Sequence, residues 1–359
     1  MNEVVNFDYI KNKIEKPNET AKEKALAHQN DLIKPIGSLG ELERISIKYA
    51  GITGEVFNKI DKKIVFLFGA DNGIYDEGIS SSPQHFTNFL MSCYGDGKGS
   101  GINVICKANN VDLKLVDMGI IGELDYSNID NQKLMQGTNN FAKELSIPKD
   151  VVLKALDVGI QYAKYARDNG YNIIGTGEVG IGNTTTAAAC IMAALGIGDP
   201  DLAVGKGAGL TDEMFENKKQ VIKKALEMHK PDKNDAIDIL TKVGGLDIVA
   251  ITGLFVGAAY YKIPIVIDGL ISISAALLAS IINPLVKEYI FPSHVSEEPG
   301  YKIAADALDL TAFLNLKMRL GEGTGCPIAM MIIENALSVI NNMTTFEELS
   351  ADSKFRVMM

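Results

Sequence analysis

Toward the end of the chain runs Arg319-Leu320-Gly321-Glu322-Gly323-Thr324-Gly325. One carboxylate stands between glycines, directly after an apolar segment that ends in an arginine. Glycines carry no Cβ, so the backbone at Gly321 and Gly323 can approach a ligand closely. Glu322 is therefore expected to project into a cleft rather than lie on a solvated face. Arg319 is a natural partner for phosphate oxygens. A lone carboxylate beside a phosphate-binding surface predicts general-base chemistry on a phosphorylated substrate.

Four other segments offer chemistry. Gly175-Thr176-Gly177-Glu178-Val179-Gly180-Ile181-Gly182-Asn183-Thr184 lies between an expected strand and an expected helix and contains the G-x-G-x-x-G spacing of dinucleotide sites. Against that use, Glu178 occupies the turn that should receive a pyrophosphate, and no acidic residue ends a clear second strand at the distance needed for the ribose. A glycine loop whose amides face an anion at a helix N-terminus fits better, with Glu178 on sugar hydroxyls. A plain glycine turn capped by Asn183 or Thr184 is the structural alternative. Val204-Gly205-Lys206-Gly207-Ala208-Gly209-Leu210-Thr211-Asp212-Glu213 again sets glycines before a helix, here with Thr211 or Asp212 as cap and Lys218 within the helix. Alone it is a weak signal. Gly78-Ile79-Ser80-Ser81-Ser82-Pro83-Gln84 follows the first strand, where open α/β sheets bind ligands. Its serines and Gln84 offer the neutral hydrogen bonds that a heteroaromatic ligand wants, although an ordinary Ser/Pro turn looks the same. In Ser293-His294-Val295-Ser296-Glu297-Glu298-Pro299-Gly300, His294 reads in isolation as a satisfied structural histidine.

The elements that must position these residues alternate. Helix is expected over Glu19 to Asp31 and Glu41 to Ala50, separated by the turn cluster Lys34-Pro35-Ile36-Gly37-Ser38-Leu39-Gly40. Short apolar runs predict strands at Lys63 to Gly69, Leu113 to Asp117, Asn172 to Ile174, Ile263 to Ile267 and Leu285 to Phe291. Helices are expected at Val151 to Asp168, Thr184 to Ala194, Glu213 to Met228, Asp235 to Leu240, Asp247 to Tyr261 and Gly269 to Ile282. This alternation predicts an α/β fold, a mostly parallel, doubly wound sheet with helices on both faces. The helical stretches before Ile64 and after Thr324 lack strand partners. They are expected to form a small helical domain from both chain ends (1–59 and 321–359) beside a large α/β domain (60–320).

Composition narrows the function. A net charge of −10 on 359 residues argues against nucleic acid as a partner, because phosphate-backbone binding needs a basic face. Small phosphorylated ligands need only a few local donors. Cys93, Cys106, Cys190 and Cys326 form no C-x-x-C, and none pairs with a nearby histidine at metal-ligand spacing. They read as reduced thiols of a cytoplasmic protein, with no metal site and no cofactor expected. The N-terminal segment does not read as a secretory signal. The most hydrophobic region, Ile248 to Val286, is interrupted by Lys262, Pro264 and Asp268 before it reaches membrane-span length.

Taken together, the motifs resemble the nicotinate-nucleotide–dimethylbenzimidazole phosphoribosyltransferase family. The matching segments are Lys34-Pro35-x-Gly-Ser-Leu-Gly40, Ser80-x-x-Pro83-Gln84, Gly177-Glu178-x-Gly-Ile-Gly-Asn-Thr-Thr185, Val204-Gly-x-Gly-x-Gly209, Ser293-His-x-Ser-x-Glu-Pro-Gly300 and Arg319-Leu-Gly-Glu-Gly-Thr-Gly325. Each alone is weak; the ordered set spans nearly the whole chain and is specific. The resemblance implies a Rossmann-like sheet, a small helical domain and a homodimer. It implies Glu322 as catalytic base. It places the phosphoribosyl group of nicotinate mononucleotide against Glu178, Gly180, Gly182, Asn183, Thr184, Gly205, Gly207, Lys218, Ser296, Arg319 and Gly321. It places an aromatic acceptor near Ser80, Gln84, Asn88 and Leu320.

This chain also departs from the family pattern. Asn72 stands where the family usually has histidine, Ser82 where tyrosine is frequent, and Cys93-Tyr94-Gly95-Asp96-Gly97-Lys98 differs from the usual segment. The departures gather around the expected acceptor pocket, so the reaction class is better specified than the acceptor. Some relatives act as heterodimers of two paralogues and transfer to phenol or p-cresol; a catalytic partner in such a pair is the alternative reading. An NAD-dependent oxidoreductase built on Gly175 to Gly180 and a non-catalytic binding subunit are the readings from other classes.

Overall fold

In the computed structural model of the chain, residues 5–207 and 209–349 are described. Ala208 and the outermost ends of the expected helical domain lie outside them. The described residues form six strands: β1 (Lys63–Ala70), β2 (Asp112–Gly119), β3 (Ile129–Asn131), β4 (Ile173–Val179), β5 (Ile265–Ile267) and β6 (Ile290–Pro292). They make one sheet in the order β3-β2-β1-β4-β5-β6, every neighbouring pair parallel. Thirteen α-helices of the described residues accompany them. Those before β4 are α1 (Phe7–Ile10), α2 (Glu19–Asp31), α3 (Glu41–Thr53), α4 (Phe86–Gly95), α5 (Gly101–Ala108) and α6 (Lys149–Asp168). Those after it are α7 (Asn183–Leu195), α8 (Asp212–His229), α9 (Ala236–Val243), α10 (Leu246–Tyr260), α11 (Leu270–Ile282), α12 (Pro299–Leu308) and α13 (Gly325–Asn342).

Both faces of the sheet are covered, as buried parallel strands require, and alternation along each strand assigns the faces. On β1, Phe66 and Phe68 meet Tyr162 of α6. On β4, Thr176 bonds Ser272 of α11 at 2.5 Å. Gly175 points the other way, where a Cβ would come within 2.7 Å of Cys326 on α13. Helices from both chain ends also meet: Ala25 of α2, Ala50 of α3 and Ile340 of α13 form a small apolar cluster, while Tyr49 of α3 and Met330 of α13 belong to the main core. The Lys34–Gly40 turn is fastened to α3, because Glu43 accepts from Lys34 Nζ at 2.7 Å and from the Leu39 amide at 3.0 Å. No helix among the described residues is long and apolar enough to cross a membrane.

The fold corrects two expectations and adds elements that were not expected. The run Leu285 to Phe291 is mostly a 3₁₀ helix, Pro284–Tyr289, and only Ile290–Pro292 joins the sheet. Pro284 fixes the first helical φ, and the Asn283 side chain accepts from the Leu285 amide at 2.9 Å. Second, β4 continues through Val179, so Gly175 and Gly177 are strand residues rather than the start of a phosphate loop. The added elements are the short edge strand β3 and the helices α4, α5 and α12, whose signals are too brief for sequence periodicity to separate from loop.

Candidate active site

The strand order reverses between β1 and β4, and ligands of doubly wound sheets bind beyond the carboxyl ends of the strands at that point. A cavity of about 360 Å³ opens there. Glu178 and Val179 enter it from β4, His294 and Ser296 from the segment after β6, and Arg319, Leu320, Gly321 and Glu322 from the loop before α13. That loop is hung on buried acids. Asp268, just past β5, accepts from the amides of Gly323 at 3.0 Å and Gly325 at 2.7 Å, which sets a carboxylate at the N-terminus of α13 where the helix dipole favours it.

Glu322 itself has φ +63°, between Gly321 at +83° and Gly323 at +86°. A left-handed conformation costs an ordinary residue roughly 1–2 kcal/mol, and such strain concentrates where geometry serves function. The flanking glycines are required. A Cβ on Gly321 would stand 2.6 Å from Glu178 Oε1, and one on Gly323 2.9 Å from the Gly177 Cα. Glu322 Oε2 accepts from the Ile102 amide in the first turn of α5 at 3.3 Å.

Acidic groups dominate one side. Asn183 Nδ2 donates to Glu178 and also to Asp247 Oδ2, the latter at 3.1 Å. Burial, reinforced by the Asp247 charge, pushes the Glu178 carboxyl up to about 8, against the Asn183 amide. Burial also raises Asp247 to about 6 and Asp268 to about 7, the latter opposed by the two glycine amides and aided by the Glu322 charge. An arrangement of this kind favours a ligand that brings positive charge.

The cationic side lies beyond α7. Lys218, 1% exposed, donates to Thr184 Oγ1 and to the Gly205 carbonyl, each at 3.0 Å; burial lowers it to about 8, with Glu298 acting in the other direction. Thr184, Gly207, Asn183 and Gly180 line the main cavity, and an adjoining one of about 90 Å³ is lined by Ser80, Gly182, Thr184, Gly207 and Lys218. Gly205 packs against Glu298, where a Cβ would come within 1.9 Å of the carboxylate, and the Gly207 amide donates to Glu298 at 3.0 Å. Thr211 caps α8 by accepting from the Met214 amide at 3.2 Å.

Most expected residues therefore converge. Gln84 and Asn88 line neither cavity, and the Asn88 amide donates to the carbonyls of Ile121 at 3.3 Å and Glu123 at 3.0 Å. Ser80 Oγ donates to the Ser82 carbonyl at 3.1 Å, closing the turn that presents Ser82 to the cavity. His294 is satisfied, as expected, by Ser293 at 2.9 Å, and it also forms part of the cavity wall; burial lowers its pKa. Asn72 sits behind the site, where its Oδ1 accepts from Thr186 at 2.9 Å. Sequence reasoning missed the apolar wall of Phe86, Leu90 and Tyr94. Their spacing of four along α4 was the available signal.

Fold and site thus define an α/β enzyme with a cavity at a sheet switch point and one strained carboxylate in its wall. A phosphoribosyltransferase family model matches residues 14–350. The nicotinate-nucleotide–dimethylbenzimidazole phosphoribosyltransferase of Clostridium perfringens (strain 13 / Type A) is 46% identical over 92% of this chain and 91% of its own. That of Clostridium acetobutylicum is 48% identical over 89% and 90%. Among solved structures, CobT from Thermus thermophilus superposes with a TM-score of 0.89 at 32% identity, covering 93% of this chain and 99% of its own. The chain belongs to the nicotinate-nucleotide–dimethylbenzimidazole phosphoribosyltransferase family and is a transferase.

Proposed function

We propose that the chain transfers the phosphoribosyl group of nicotinate mononucleotide to an aromatic lower-ligand base such as 5,6-dimethylbenzimidazole. The products are nicotinate and an α-riboside 5′-phosphate used in assembling the nucleotide loop of a cobamide. An aromatic nitrogen attacks C1′ from the face opposite the leaving pyridinium, so the β configuration inverts. Nicotinate takes the C1′–N electron pair and leaves without a proton. The acceptor nitrogen becomes cationic as its bond forms, and Glu322 removes the proton carried on the acceptor ring. The ribosyl carbon and the attacking ring both gain positive charge in the transition state, and Glu322, with whatever ionised fraction of Glu178 and Asp268 is present, offsets it.

The observation that carries this reading is the strained Glu322 beside Glu178, with Thr184 lining the same cavity and Lys218 the one adjoining it. In this reading Lys218, Thr184, Arg319 and the Gly205–Gly207 backbone hold the phosphate. Glu178, Gly180, Gly182, Asn183, Ser296 and Gly321 surround the ribose. Leu320, Phe86 and Leu90 flank the acceptor, with Ser80 and Ser82 beside it. A part for Gln84 and Asn88 needs the start of α4 to move inward. Transfer to phenol or p-cresol is the second reading, favoured by the fact that Ser82, a departure from the family pattern, faces the cavity. A second copy of the chain, or a paralogue, is the partner in these two readings. The test is mass spectrometry of products from purified protein, nicotinate mononucleotide and dimethylbenzimidazole, adenine, phenol or p-cresol in separate reactions. A benzimidazole or purine α-riboside phosphate supports the first reading. Product only with phenols, or only after a paralogue is added, supports the second, and no product with any acceptor refutes both.

A further inference from the structure

Tyr94 lies at the end of α4, 2% exposed, with its backbone carbonyl pinned by the Asn103 side chain at 3.2 Å. Its ring is part of the cavity wall, and its hydroxyl faces the Glu322 carboxylate with Glu178 beyond. Yet that hydroxyl has no hydrogen-bond partner among the described residues. A buried donor without an acceptor is unfavourable and calls for an explanation at the place where it occurs. Here the explanation stands next to it: Glu322 Oε2 accepts one long bond from the Ile102 amide at 3.3 Å and has lone pairs to spare.

We infer that Tyr94 is a positioning residue, whose hydroxyl donates to Glu322 and turns the carboxylate's free lone pair toward the acceptor's proton. This rests on Glu322 acting as the base. Burial and the charges of Glu322 and Glu178 push the phenol above its ordinary range, so it remains a protonated donor throughout the working pH. The other ionisable groups on the same cavity wall are Glu178 of β4, His294 and Glu298 after β6, and Arg319 on the carboxylate's own loop, with Asp268 behind that loop. None of them supplies a neutral hydroxyl donor at this place.

The experiment compares wild type, Tyr94→Phe, Glu322→Gln and the double variant in kcat and KM for each substrate across pH, using nicotinate mononucleotide and dimethylbenzimidazole. Tyr94→Phe removes one hydroxyl and leaves the ring to fill the same space, so the fold is expected to survive with a melting temperature within a few degrees of wild type. Its kcat is expected to fall about tenfold with KM for nicotinate mononucleotide unchanged. The acidic limb of its kcat/KM profile is expected to move up by about one pH unit, because a carboxylate that loses a donor holds its proton more tightly. In the double variant the tenfold effect should vanish. An acidic limb that stays in place overturns the inference, and a raised acceptor KM with the limb unmoved shows that Tyr94 touches the acceptor instead. Full activity in Glu322→Gln, or none in wild type, overturns the parent assignment of the base together with this one.

Discussion

Glu178 is the residue whose burial has the clearest thermodynamic consequence. Its carboxyl rises from 4.5 to about 8 in the folded protein, so the native state holds this proton more tightly than the unfolded chain does. The resulting stabilisation is full below the unfolded value and is lost as pH rises through the folded one. Asp247, at about 6, and Asp268, at about 7, act with the same sign. The melting temperature of ligand-free protein should therefore fall between about pH 5 and 8.5, and Glu178→Gln should flatten the fall by about 2–4 °C. Differential scanning fluorimetry across that range checks it, and a flat wild-type profile would count against the burial argument. At this scale the sequence shows Glu322 plainly, because a carboxylate between glycines after Arg319 has few structural uses. Asp247 and Asp268 look only like the ends of a helix and a strand. Their convergence on one space depends on strand order, and the turning of Asn88 toward Ile121 and Glu123 depends on a loop path that no local pattern encodes.

The element that holds Glu322, the proposed base, is the loop from Arg319 to Thr324, and close backbone approach is what shapes it. Gly99 and Gly323 offer a controlled comparison. Both have positive φ, +78° and +86°, but a Cβ at Gly99 would meet nothing within 4 Å, whereas one at Gly323 would press on the Gly177 Cα at 2.9 Å. Gly99→Ala should cost about 1 kcal/mol from φ alone. Gly323→Ala should cost a further 1–3 kcal/mol or so from overpacking and should also displace Glu322 and depress turnover. Urea unfolding of the two variants measures the difference, and equal costs would show that the loop and β4 are not in tight register. The same closeness explains why the Gly175–Gly182 segment misleads a reader of the sequence. Gly175 and Gly177, which resemble the start of a phosphate loop, lie instead within β4, where Gly175 leaves room for Cys326 of α13, and only Gly180 and Gly182 fall beyond the strand. Glycine spacing alone does not separate an amide cradle from a strand that another element must approach.

At the scale of the whole molecule, residues as distant in sequence as Glu178, His294 and Glu322 meet because the sheet reverses between β1 and β4. The alternation of strands and helices was legible, and so was the parallel sheet. The edge strand β3 and the 3₁₀ segment before β6 were not, since three-residue strands give too short a period to detect. A ligand that binds only the folded state raises the melting temperature by mass action, by about 2.7 kcal/mol of stability at a hundred times its Kd. Nicotinate mononucleotide is expected to give a saturable rise and NAD a smaller one; the reverse order would revive the dinucleotide reading.

Steady-state kinetics of Glu322→Gln decide whether Glu322 is the base. The variant keeps shape and hydrogen bonding but accepts no proton. If Glu322 is the base, kcat falls by about 10²–10⁴-fold, with an unchanged melting temperature and an undiminished response to nicotinate mononucleotide. Turnover within a few-fold of wild type would contradict it.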